Sequence, residues 1–361
     1  MSTVMVAPAA KAVPSQTLIA PANIIYRRNS SGSINPGAST QISLDTGNKV
    51  RFLAIRLQYT LTQPGTPVAI TQANIMPGDE FGLIESLVLK TTDNDYIIDA
   101  TALELLKVYA RLNRRHKPIL TALRTAGTGS PVIDSTLVIP FWMLQSVNHV
   151  ETVLNLTKVL QGQINLQINW GTVASVTSIA GMTLTGAMTV EIRTLETYGG
   201  SVPTMDCRIA KIPLLNVSAG AQKQVTDIPV ASNLEYWGFL THEYITSTEA
   251  DTPGILAGFR AKNGTNYFLD GAVNSHRQVL FQVNPEFTGY DGDAYATGEI
   301  LDYSAATKAD AWTFWPLAWD GYKTETLATK GLSGLKFEYD IAATAPAGSA
   351  VDVYAYQIFK P

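Results

Sequence analysis

Apolar side chains recur at every second position in several stretches of this chain. Leu53, Ile55, Leu57, Tyr59 and Leu61 alternate with Ala54, Arg56, Gln58 and Thr60. Ile164, Leu166, Ile168 and Trp170 alternate with Asn165, Gln167 and Asn169, and Leu335, Phe337, Tyr339 and Ile341 with Lys336, Glu338 and Asp340. A period of two places one set of side chains on each face of a pleated strand, so each stretch predicts a half-buried antiparallel strand. One stretch has helical spacing instead. Thr101 can cap a helix while Glu104, three residues on, reaches back to it. Leu103, Leu106 and Ala110, with Leu105, Tyr109 and Leu112, then form an apolar stripe, and Pro118 forbids much continuation. The expectation is an all-β chain with a single amphipathic helix lying against one end or side of a sandwich.

The elements recur in order. In the first half, Leu137-Val-Ile-Pro-Phe141-Trp142 is followed by the strand Ile164 to Trp170 and then by Met188 to Leu195. In the second, Ala311-Trp-Thr-Phe314-Trp315-Pro316 is followed by Leu335 to Ile341 and then by Val351 to Phe359. The offsets from Phe141 to Phe314 and from Ile164 to Leu335 are both near half of the 361-residue chain, which suggests a duplicated unit. Gly199-Gly200-Ser-Val-Pro203 is small and turn-prone, as linkers are. The division expected is an extended arm over residues 1–22, interrupted by Pro8 and Pro14, then one sandwich over 23–200 and a second over 201–361.

Composition agrees with two packed β domains. At 361 residues the chain exceeds one ordinary sandwich, and with 46% hydrophobic and 16% charged residues it is too apolar for a disordered chain. Gly 27, Pro 18 and Tyr 15 favour short strands joined by turns. Lys+Arg 26 against Asp+Glu 30 gives a net charge of −4, which argues against coating a nucleic-acid backbone or reading its sequence. Cys207 is the single cysteine, which excludes an intrachain disulfide and a cysteine-rich zinc site. No run approaches the roughly 20 apolar residues that span a bilayer. The first residues lack the basic start and long apolar run of a signal peptide.

Val50 to Leu57, Phe81 to Asp95, the helix at Thr101, Pro140-Phe-Trp142 and the strand Ile164 to Trp170 together resemble the double-jelly-roll major capsid proteins of tectiviruses and the adenovirus-like lineage. The Ala/Pro-rich arm departs from that family, because it is no obvious amphipathic helix. The resemblance implies two tandem eight-stranded antiparallel jelly rolls, with a short helix in an inter-strand connection and an extended N-terminal arm. It implies a homotrimeric, pseudo-hexagonal capsomer in the shell of an icosahedral virus with an internal membrane. The chain would then be made in the host cytoplasm and would meet other copies of itself, penton or vertex proteins, and minor capsid or membrane proteins. Lipid headgroups would be met through the arm or a basic cluster. The Gly-, Asn-, Asp- and Tyr-rich stretch Gly254 to Asp310 would form outer towers.

Catalytic chemistry finds little foothold, and no cofactor is expected. His116, His149, His242 and His276 are scattered, and no metal-binding His-Glu-x-x-His, nucleophile elbow or phosphate-cradling loop occurs. Arg111, Arg114, Arg115 and Lys117, with Lys107 and Arg124 nearby, form the strongest charge feature. This run could meet lipid headgroups or phosphates, or complement a helix C-terminus and pair with acids of a neighbouring subunit. Asp291, Asp293, Glu299 and Asp302 offer hard oxygen ligands of the kind calcium prefers, in spacing that matches no standard calcium loop, and a solvated loop is the expected answer. Trp142, Trp170, Trp237, Trp312, Trp315 and Trp319 leave one alternative, a two-sandwich carbohydrate-binding or glycan-processing protein. That reading needs Trp312, Trp315, Trp319 and Tyr322 on one exposed face, or a cleft with paired carboxylates.

Overall fold

The structure is a computed structural model of the 361-residue chain. It describes residues 23–92, 96–109, 122–141, 151–157, 160, 162–198, 204–248, 250–273, 275–276, 311–317 and 326–359. The first half contributes β1 (Asn23–Ile34), β2 (Ser39–Ser43), β3 (Lys49–Thr62), β4 (Ile84–Thr91), β5 (Tyr96–Ala100), β6 (Val132–Pro140), β7 (Glu151–Asn155), β8 (Ile164–Trp170), β9 (Thr183–Leu184) and β10 (Met188–Tyr198). The second contributes β11 (Thr204–Pro213), β12 (Gln224–Asp227), β13 (Leu234–Ile245), β14 (Ala250–Asp251), β15 (Leu256–Asn263), β16 (Asn266–Ala272), β17 (Trp312–Pro316), β18 (Leu327–Ala328), β19 (Leu335–Ile341) and β20 (Ser349–Phe359).

Among the described residues, and setting aside β7, β9, β14 and β18, each half has eight strands, and the two halves pair them identically. The first, eighth, third and sixth strands make one sheet: β1-β10-β3-β6 in the first half, β11-β20-β13-β17 in the second. The second, seventh, fourth and fifth make the other: β2-β8-β4-β5 and β12-β19-β15-β16. This is the jelly-roll order, twice, so the fold is an all-β double jelly roll. Among the described residues every pairing is antiparallel except that of β7 with β11, which run parallel with Glu151 opposite Thr204 and Val153 opposite Asp206. Because β7 also pairs with β3, backbone hydrogen bonds run without interruption from the first half into the second.

Alternation along the strands builds the cores. Leu53, Ile55, Leu57, Tyr59 and Leu61 of β3 meet Ile164, Leu166, Ile168 and Trp170 of β8 across the first sandwich. Phe239 of β13 meets Phe337 of β19 edge-on across the second, with ring centroids 4.9 Å apart and planes at 89°. Each fully buried aliphatic or aromatic side chain of this kind contributes about 1.5–3 kcal/mol.

The expected helix is present and differs after its first turn. Thr101 and Glu104 form the reciprocal cap, and Ala102–Glu104 is α-helical, but Leu105–Tyr109 widens into a π-helix. The wider turn brings Leu105, Val108 and Tyr109 together into the buried set, while Leu103 and Leu106 are only partly covered. Ala110 and Leu112 lie outside the described residues. The stretch taken for outer towers begins instead as two sheet strands, β15 and β16, and residues 277–310 lie outside the described residues. The shared Phe-Trp also shifts: Pro140 and Pro316 each close a sixth strand, but Phe141 follows its proline whereas Phe314 and Trp315 precede theirs.

Candidate functional site

Among the described residues, charged and aromatic side chains gather on two sheet faces that occupy equivalent places in the repeat. One is the outer face of β11-β20-β13-β17, which the first half covers. The other is the outer face of β1-β10-β3-β6.

On the covered face, side chains that alternate away from the second core point at the first half. Lys211 of β11 donates to Glu104 Oε1 at 2.8 Å and lies 3.2 Å from Asp352 Oδ2. Tyr354 donates its hydroxyl to the same Glu104 oxygen at 2.5 Å, while Glu104 Oε2 accepts the Thr101 backbone N–H at 2.9 Å. The glutamate that completes the capping box is therefore also the acid that joins the halves. Burial alone would raise the Glu104 pKa, but the hydrogen bonds from Lys211 and Tyr354 hold it below the usual glutamate value. Burial would lower that of Lys211, and Glu104 and Asp352 outweigh it and push the ammonium well above the ordinary lysine range. One turn on, Tyr356 donates to the Val108 carbonyl at 3.0 Å.

Beside this charged centre, His242 is stacked between Trp312, at 3.7 Å and 9°, and Tyr244, at 4.8 Å and 17°. Asp251 binds both His242 Nε2, at 2.8 Å, and the Trp312 indole N–H, at 3.2 Å. Cys207 is buried here, and burial pushes its thiol far above the reactive range.

On the other face, Tyr26 packs on Phe52 with centroids 5.8 Å apart, and the Arg193 guanidinium lies 4.9 Å over the Tyr26 ring. Arg56 donates through two nitrogens to Asp134, both at 2.7 Å, and Arg193 donates to Glu191 at 2.7 Å. Between them lies a cleft of about 230 Å³ bordered by Tyr26, Ala54, Arg56, Thr136, Glu191 and Arg193. Hydrogen bonds from Arg56 hold the Asp134 carboxyl below its usual range. Ile24 and Tyr26 on this face, and Ile25 beside them, are exposed. The strand that carries them is held from behind, where Arg27 donates to Glu196 at 3.2 Å and to the Tyr198 hydroxyl at 2.7 Å.

A third polar feature is internal. Glu80 is buried and accepts from the backbone N–H groups of Ala122 and Leu123 at 2.6 and 3.2 Å and from the Ser135 hydroxyl, while Asp79 binds Arg124 at 2.8 Å. It clips the segment before β6 to the turn before β4, so Arg124 serves the fold.

Of the residues singled out from sequence, Arg111, Arg114, Arg115 and Lys117 lie outside the described residues. So do Asp291, Asp293, Glu299 and Asp302, the arm 1–22, Trp142, Trp319 and Tyr322. Trp170, Trp237, Trp312 and Trp315 are all buried, which removes the described half of the exposed aromatic face that sugar binding required. Glu104 was found as a cap only. Lys211, Tyr354 and Tyr356 carry no local signal that could have marked them. Among the described residues no helix is long and apolar enough to cross a membrane.

No family model matches the sequence, and no curated protein matches it. Solved structures do. The major capsid protein of Sulfolobus turreted icosahedral virus superposes with a TM-score of 0.62 at 13% identity, over 94% of this chain and 97% of that one. The major capsid protein P2 of bacteriophage PM2 gives 0.53 at 10% identity, over 94% and 98%. The Faustovirus major capsid protein gives 0.52 at 7% identity, over 99% and 93%. These likenesses establish the class of fold, the double jelly roll found in viral major capsid proteins, over nearly the whole chain.

Proposed function

We propose that the chain is the major capsid protein of an icosahedral virus and works without turnover chemistry, as a homotrimeric capsomer of pseudo-hexagonal outline. The observation that carries this is the double strand order: two halves with the same sheets in the same sequence give one subunit two similar outlines, and three subunits give six. The three solved structures described above, which share this arrangement over nearly the whole chain, are major capsid proteins, which supports placing the chain in a virion shell. The same reading divides the chain at about residues 200 and 201 into two jelly rolls. It extends to vertex, minor capsid and membrane partners and to an internal membrane, for which the stretch before β1 and the run Arg111 to Lys117 are the candidate contacts.

Light scattering on the purified chain, with electron microscopy of the same sample, tests it. A trimer with a six-sided outline, or shells and lattices, is expected. A monomer at every concentration would overturn the trimeric capsomer.

A further inference from the structure

Two landmarks lay the halves on each other residue by residue. Pro140 and Pro316 close the sixth strands opposite Phe52 and Gly238, and beside each of these the third strand bulges by one residue, Arg51 in β3 and Trp237 in β13. The next outward row then reads Arg28, Arg193, Ala54 and Val138 in the first half and Lys211, Tyr354, Leu240 and Phe314 in the second. One row further, Glu191 and Arg56 stand where Asp352 and His242 stand.

In the second half this row is a carboxylate receptor. Lys211 and Tyr354 both donate to Glu104, which arrives from outside the sheet, while Asp352 of the sheet itself flanks the lysine. The first half has the same plan in arginine. Arg28 and Arg193 replace the two donors, and Glu191, in the place of Asp352, lies 3.8 Å from Arg28 and accepts from Arg193 at 2.7 Å. Among the described residues no carboxylate from outside the sheet meets Arg28 or Arg193. With Arg56 and Asp134 included, three guanidiniums face two carboxylates, which leaves one positive charge unbalanced. Ala54 stands where the larger Leu240 stands in the counterpart, and it lies in the lining of the cleft of about 230 Å³.

We propose that this cleft binds a small free monocarboxylate with a flat apolar body, of the aromatic acid class. The carboxylate takes the place that Glu104 holds in the counterpart, on Arg193 and Arg28, because a guanidinium fork matches the two oxygens of a carboxylate. A guanidinium carries five N–H donors, and Glu191 takes one of those of Arg193. The body lies over Ala54 and against the Tyr26 ring, which is 50% exposed. One negative charge restores neutrality, and a dianion oversteps it. The site is complete within one chain, so binding does not depend on how many copies a capsomer holds.

Isothermal titration calorimetry of the full chain tests it with benzoate, with benzamide as the neutral isostere and inorganic phosphate as the dianion. Benzoate should bind once per chain, and benzamide about ten-fold or more weakly by comparison. Arg193→Gln, which removes the fork, and Ala54→Leu, which fills the cleft with the side chain of the counterpart, should each weaken benzoate by about ten-fold or more. Lys336→Gln, which removes a cation from the far sheet, should leave binding unchanged. Should Arg193→Gln lose its native circular dichroism, Arg28→Gln carries the same comparison. Benzoate that fails to bind, that binds no better than benzamide, or that binds both cleft variants as it binds wild type overturns the site. Phosphate that binds more tightly than benzoate, and does so through Arg193, overturns the carboxylate class.

Discussion

The carboxylate of Glu104 and the ammonium of Lys211, 107 positions apart in the chain, meet at 2.8 Å where the two jelly rolls join. Removing either end should hurt unequally. Lys211→Met strands two carboxylates that are 11% and 4% exposed, whereas Glu104→Gln strands an ammonium that is 45% exposed and keeps Asp352. A buried charge without a partner costs more than one that can rehydrate. Urea unfolding should therefore place Lys211→Met about 3 kcal/mol and Glu104→Gln about 2 kcal/mol below wild type. The reverse order would mean that the acids are not held by this lysine.

The same pair sets a window of pH. Glu104 ionises below its ordinary 4.5 when folded, so its contribution is present above that value and is lost as pH falls through the lower folded pKa. Lys211 is raised above its ordinary 10.5, so its contribution is present below 10.5 and fades only as pH rises through the higher folded value. Thermal stability should be flat between these limits and fall on the acid side. Glu104→Gln should flatten that acid slope, and an unchanged slope would assign acid loss to other carboxylates, Asp251 with His242 among them.

Two tyrosines on β20 should rank by their acceptors. Tyr354 donates to a charged carboxylate and Tyr356 to a neutral carbonyl. Tyr354→Phe should cost about 2 kcal/mol and Tyr356→Phe about 1 kcal/mol in the same urea experiment. Equal losses would contradict the difference in charge.

Glycine positions give a steric test. A Cβ on Gly82 would stand 2.1 Å from the Ser175 carbonyl oxygen, a backbone atom that cannot swing away, whereas one on Gly238 would meet Phe314 Cζ at 2.9 Å and the Trp315 carbonyl oxygen at 3.0 Å. Gly82→Ala should cost more than about 3 kcal/mol and Gly238→Ala about 1–3 kcal/mol. Melting temperatures read the order, and a Gly82→Ala chain as stable as wild type would refute the packing around the turn before β4.

Legibility in the sequence followed how many faces of a strand are covered. β3 and β8 have one face on the first core and show the period of two that marked them in advance. β13 is sandwiched between the second core and the first half, so ten successive residues from Leu234 to Glu243 are buried and no alternation survives. The cap at Thr101 was legible because both partners lie within four residues. The clamp built on the same Glu104 was not, because Lys211 and Tyr354 reach it only through the fold. Strand order was likewise carried by likeness alone until the pairings were seen.

The parallel seam between β7 and β11 has a mechanical consequence. A hinge needs a segment whose backbone can turn without breaking a ladder, and here hydrogen bonds cross from one jelly roll to the other directly beside the Glu104 clamp. The two lobes thus act as one stiff plate. In a shell of the kind proposed above, curvature would therefore fall between copies, and none of it within a single chain.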